Sequence, residues 1–154
     1  MDNITNIKAT GTVDLVLYNQ YGEEIDSRRG IHNIIVAGGL AHIASRMNST
    51  AQAVMGWLGV GTTNTGEVVA NTLLGAEIAR VATTPSIITT TQTNDTVQHV
   101  ATIAAGTATG ALVEAGLFNI VTANTGTMLN RITFAVINKG SLDALTVTWK
   151  IKIA

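Results

Sequence analysis

The chain contains no cysteine, a single proline and only six aromatic residues among 154, and 12% of it is charged. Without cysteine there is no disulfide framework and no thiolate metal site. Globular domains carry about 25% charged residues, twice the share here. Disorder is not the explanation, because disordered chains combine high charge with little apolar content and this one is 46% hydrophobic. What is missing is the charge that keeps a monomer's surface solvated and apart from its copies. The formal net charge is −1, so the composition points to a protein that assembles. No basic excess exists either. Arg28-Arg29 is the one adjacent basic pair, with Glu23, Glu24 and Asp26 just before it. The phosphate-neutralising stripe of a nucleic-acid binder is absent. The longest apolar stretch, residues 31–44, is interrupted by His32, Asn33 and His42 and is too short to span a bilayer. Met1-Asp2-Asn3 is polar and acidic where a secretory signal is basic and then apolar, so no export is expected.

What is present is strand periodicity. In residues 12–18, Val13, Leu15 and Leu17 share one face. The turn Asn19-Gln20-Tyr21-Gly22 sends residues 23–29 back antiparallel. Strands are expected near 55–60, 80–84 (ended by Pro85), 86–93, 96–104, 112–120 and 128–138, with Met128, Ile132, Phe134 and Val136 of the last on one face. The clearest alternation comes at the end: Leu145, Val147, Trp149, Ile151 and Ile153 against Thr146, Thr148, Lys150 and Lys152. It predicts a strand with Trp149 buried and the lysines in water. One short helix is expected over about 36–48, with Val36, Leu40, Ile43 and Met47 forming its apolar stripe. Gly38 and Gly39 weaken that helix and permit close approach to a neighbouring backbone. The fold class is therefore mostly β, an antiparallel β-sandwich or barrel-like domain over residues 11–154. A flexible arm, 1–10, precedes it. Ile4 and Ile7 are the arm's only large apolar groups besides Met1, too few for a core, and are expected to contact a partner.

Reactive constellations are hard to find. Gly59-Val60-Gly61-Thr62-Thr63 lacks the third glycine of a dinucleotide fingerprint, since Asn64 stands there, and no Gly-Lys-Ser/Thr exists; it reads as a glycine-rich turn leaving a strand. His32, His42 and His99 form no zinc pair. No serine sits in a nucleophile elbow. Glu77 and Glu114 could be the paired carboxylates of a glycosidase, but both lie in small, apolar surroundings, where a partner such as Arg80 or Arg131 is the expected role. Trp57 and Trp149 are expected in the core. The reading assigns no catalytic, cofactor-binding or metal-binding residue and no enzymatic activity.

The chain also resembles a family of small structural proteins of tailed-bacteriophage virions. The carboxy-terminal half carries most of the likeness, in residues 111–119 (A-L-V-E-A-G-L-F-N), 126–131 (G-T-M-L-N-R), 134–140 (F-A-V-I-N-K-G) and 145–151 (L-T-V-T-W-K-I). Upstream, residues 39–46, 60–63 and 72–80 follow in the same order, and the likeness spans roughly 11–153. Each piece is a plain strand-and-turn pattern; their order is the specific feature. The resemblance implies a non-enzymatic, assembled role in the virion, as a capsid decoration (cement) protein on the outside of the head or as a tail, baseplate or fibre component. A host-glycan-binding module is a more distant alternative. The expected partners are further copies of the chain, with a homotrimer as building block, and the major capsid protein or other virion proteins. Neither nucleic acid nor membrane is expected, and no cofactor. Synthesis in the host cytoplasm is implied.

Overall fold

The computed structural model describes residues 7–48 and 52–154. Nine strands and one helix follow in the order β1 (Ala9–Tyr18), β2 (Glu24–Ile35), α1 (Ala37–Ser45), β3 (Trp57–Gly61), β4 (Glu77–Ala82), β5 (Thr84–Ile88), β6 (Thr96–Ile103), β7 (Gly110–Phe118), β8 (Met128–Lys139) and β9 (Ala144–Ile153). All pairings are antiparallel, in the spatial order β4-β3-β7-β8-β2-β1-β9-β6-β5. The sheet curls into a nearly closed barrel. Its two edge strands, β4 and β5, are consecutive in the chain and separated only by Thr83. That residue fastens the seam: its N–H donates to the Gly56 carbonyl and its hydroxyl lies 3.0 Å from His99 Nδ1.

The interior is the set of inward positions of both walls. Val13, Leu15, Leu17, Leu145, Val147, Trp149 and Ile151 face Leu58, Val60, Leu112, Leu117, Ile132 and Ile137, all essentially without solvent contact. Alternation in β9 falls as predicted through Ile151, and Trp149 is fully buried. Lys150 and Lys152, expected in water, are half-buried among the threonines of the outer face, because long stems lie along a flat sheet with their amines outward. On β8 the predicted face fails at Val136, which is 42% exposed while Ile137 is buried. The step from Leu112 to Glu114 on β7 spans the same length as Thr133 to Ile137 on β8. This bulge reverses which residues point inward. Arg28 bridges from β2 to the bulge, its guanidinium donating to the Ala135 and Val136 carbonyls at 3.1 and 2.6 Å.

Three further expectations are corrected. The arm is shorter than 1–10, since Ala9 and Thr10 pair with Ile153 and Lys152 in the sheet. Pro85 does not end a strand: it lies inside β5, where an edge strand tolerates a residue without an N–H and is thereby blunted against further pairing. The helix is Ala37–Ser45, and it buries Gly39 and His42; of the predicted stripe, Val36 is buried and Ile43 packs against the core, but Leu40 and Met47 do not. Leu40 and Met47 are 51% and 83% exposed. The cause is backbone contact. A Cβ on Gly39 would lie 2.0 Å from the Leu129 carbonyl oxygen, so the glycine side of the helix faces β8, and Leu40 and Met47 turn away.

Candidate functional site

Outside the barrel wall formed by β3, β7 and β8 lies a third layer, made of α1 and the loop 62–76. Its floor is nearly bare backbone. A Cβ on Gly59 would meet Glu77 and Phe118 at 2.9 Å, and one on Gly61 would meet the Ala76 carbonyl and Glu114 at 2.5 Å. The glycines read as a turn are thus within β3, and their purpose is to let the loop lie directly on the sheet. Val36, Leu74, Phe118 and Met128 form a small second core there.

Both carboxylates singled out in the sequence sit in this layer, each with the arginine expected of it. Glu114 and Arg131 are joined at 2.8 and 3.1 Å, with side chains 0% and 2% exposed. The same carboxylate accepts from the N–H groups of Gly75 and Ala76 at 2.9 and 2.8 Å. Arg131 also donates to the Thr65 carbonyl and the Asn71 side chain. Glu77 receives two hydrogen bonds from Arg80, at 2.6 and 2.7 Å. The Arg80 guanidinium stacks 3.7 Å above the Phe118 ring and reaches the Ile120 and Thr125 carbonyls. Every oxygen of the two carboxylates is engaged in holding loops to the sheet, and the arrangement does structural work.

The histidines lie apart. His32 is exposed on β2, His42 is buried under α1 beside Gln52 at 3.4 Å, and His99 points into the barrel opposite Trp149. Among the described residues no three His, Cys, Asp or Glu side chains gather at metal-binding distance, and no helix is long and apolar enough to cross a membrane. Lys139, unremarked in the sequence, is 2% exposed and plugs one end of the barrel, donating to the Ala104 carbonyl at 3.0 Å. Burial pushes its amine down, with Asp143 partly opposing. A shallow depression of about 170 Å³ lies on the outer face of β1 and β9, lined by Thr10, Thr12, Thr90, Thr96, Lys150 and Lys152. Of the six aromatics, only Tyr21 stands fully in solvent; Trp57 and Tyr18 are half-buried. Of the two expected partner contacts, Ile7 is 79% exposed, and Ile4 lies outside the described residues.

His99 gives the barrel a pH dependence. Burial pushes its imidazole down from 6.5 to about 4. Between those values the unfolded chain binds a proton that the folded chain refuses, so stability is complete above about 6.5 and falls as pH drops toward 4. At about 1.4 kcal/mol per pH unit the loss is roughly 3 kcal/mol. Chiefly the Gln92 N–H, and also those of Thr90 and Thr91, hold the Asp95 carboxyl well below the usual carboxylate range, so Asp95 titrates outside this window. Urea unfolding at a series of pH values is expected to show the slope in the parent and to lose most of it in His99→Gln. A parent whose midpoint is flat from pH 6.5 to 4 would refute the assignment.

Comparison with known protein families, with curated proteins and with solved structures finds no match to this chain.

Proposed function

We propose that this chain is a non-enzymatic structural protein of a tailed-bacteriophage virion, a decoration (cement) protein bound to the outside of the head. The observation that carries the reading is the ordered resemblance running from about residue 11 to 153. The molecule's own physics is consistent with it. The buried charges close on one another or on backbone groups, and the outward face of β1, β9 and β6 carries Thr10, Thr12, Thr102, Thr146 and Thr148 beside Asp14, Lys150 and Lys152. Modest contacts made by such a threonine-rich surface and repeated on a lattice become strong through avidity. The partners are other copies, with a closed trimer as the building block, and the major capsid protein. A tail, baseplate or fibre role remains the second reading, since the same resemblance covers it. A glycan-binding role is disfavoured because Tyr21 alone among the aromatics is exposed, and one ring does not line a groove for a sugar.

Quantifying the protein in purified particles tests the reading. Head decoration requires on the order of hundreds of copies, following the shell lattice; about a dozen or fewer assigns it to the tail, whose rings hold few subunits. Absence from purified particles would end the virion reading altogether.

A further inference from the structure

The positive charges of the chain are sorted by place. Four of its five arginines form ion pairs, with Asp26, Glu24, Glu77 and Glu114, and the fifth, Arg46, donates to the Gln52 carbonyl. Of its four lysines, Lys139 is closed inside the barrel. The other three collect at one end of one sheet face. Lys150 and Lys152 stand at i and i+2 on the outward side of β9, beside Thr12 and Thr10 of β1 and Gln98 and Thr96 of β6. Lys8 lies two residues before Thr10, its backbone paired with Ala154. Among the described residues none of the three has a carboxylate within ion-pair distance. Lys152 Nζ donates to Thr91 Oγ1 at 2.5 Å, and Lys150 Nζ meets no acceptor among the described residues. Both side chains are half-buried at the shallow depression that Thr10, Thr12 and Thr96 help to line. The acids nearby are already engaged. Asp95 accepts from the Thr90, Thr91 and Gln92 N–H groups and from the Thr90 and Thr96 hydroxyls. Asp14, farther along β1, accepts from the Gly30 N–H.

We propose that this depression binds a compact oxyanion, a phosphate or sulfate group, held between the ammonium groups of Lys150 and Lys152. Three features select that chemistry. The first is sign. Two ammonium groups side by side repel each other in the isolated chain, and an anion between them turns the repulsion into attraction. The second is charge number. Two lysines match a dianion, whereas a carboxylate would leave one of them without a counter-charge. The third is span. Residues two apart on a strand have Cα atoms about 7 Å apart. A tetrahedral oxyanion with a charge-assisted hydrogen bond of about 2.8 Å on each side bridges that distance. The Thr10 and Thr12 hydroxyls, which carry no printed duty elsewhere in the fold, stand beside the lysines as further donors. Lys8 adds attraction at longer range. The site is open to water, so binding is weak and sensitive to ionic strength. The proposal does not rest on a virion role.

Amide NMR shifts test it, with inorganic phosphate titrated into the isotope-labelled protein against chloride at constant ionic strength. Saturable shifts are expected at residues 10–12, 96–98 and 150–152, with a dissociation constant on the order of millimolar. The double variant Lys150→Gln, Lys152→Gln should bind at least tenfold more weakly. Its melting temperature in phosphate-free buffer should equal or exceed the parent's, which shows that it is folded. The control Arg29→Gln, Arg46→Gln removes the same net charge from exposed positions elsewhere and should bind phosphate as the parent does. Glycerol phosphate, a monoester, distinguishes the source of the anion. Equal affinity for it means that the site accepts a phosphate carried on a larger molecule, and binding of the inorganic ion alone means a free anion. Shifts that chloride reproduces, saturation that survives in the lysine double variant, or equal loss in the arginine control would each overturn the proposal.

Discussion

Trp149→Ala is expected to cost about 3–5 kcal/mol, the range of buried large-to-small aromatic changes. At roughly 2–4 °C per kcal/mol for a domain of this size, the melting temperature should fall by about 6–20 °C. The indole is fully buried at the middle of β9, flanked by Val13 on β1 and His99 on β6. It does more than fill volume. Its Nε1–H donates to Asn33 Oδ1 at 2.9 Å, and that amide crosses from β2 through a space that exists only because residue 11 is glycine: a Cβ on Gly11 would lie 1.9 Å from Asn33 Oδ1. Trp149→Phe separates the two contributions. It keeps most of the apolar volume but strands the Asn33 oxygen, at about 1–3 kcal/mol. Thermal unfolding of the two variants beside the parent checks both. A Trp149→Ala protein that melts with the parent would mean that the indole is not in the core.

That residue also marks where the sequence was legible. Alternation along 145–153 requires nothing but a strand with one dry face, and it holds in β9 as far as Ile151. Local patterns of the same kind located β1, β6 and β7. The dependence of Trp149 on Gly11 and Asn33 was not legible, because it is made between residues more than a hundred positions apart. The bulge at Phe134–Val136 was hidden for a related reason. It is a mismatch of length between β7 and β8, and neither strand betrays it alone.

The helix was found within its expected bounds, and only half of its expected stripe departs from the reading. Its residues support two stripes, one through Val36, Leu40, Ile43 and Met47 and one through Ala37, Leu40, Ala41 and Ala44. Hydrophobicity favours burying the larger set. Val36 and Ile43 do pack inward, but backbone contact at Gly39 turns Leu40 and Met47 out, and the signal that could have found this was present in Gly38-Gly39, already read as a place for close approach. In the candidate site, the Glu77–Arg80 and Glu114–Arg131 pairings were legible from chemistry, since a carboxylate in apolar surroundings needs a cation. The loop 62–76 draped over them was not, for it has no period of its own.

Glu114→Ala is expected to cost about 3–5 kcal/mol, because it leaves the Arg131 guanidinium buried without a counter-charge. It also removes the acceptor for the Gly75 and Ala76 N–H groups. The effect should therefore be uneven. Amide hydrogen exchange should accelerate first across 62–76, the segment that the carboxylate ties to the sheet, while β9 keeps its protection to the global limit. Replacing both partners, Glu114→Leu with Arg131→Met, is expected to recover part of the loss, since an apolar pair of similar size relieves the stranded charge. Recovery stays incomplete because the two N–H groups still lack an acceptor, at about 1–3 kcal/mol each. Added salt should change the parent's urea midpoint little through this pair, because a dry pair is poorly screened. The decisive comparison is the double variant against the single one. If Glu114→Ala alone is as stable as the parent, or if adding Arg131→Met and Leu at 114 makes matters worse than alanine alone, then the pair does not anchor the loop, and the third layer must be held by Leu74, Phe118 and Met128 without it.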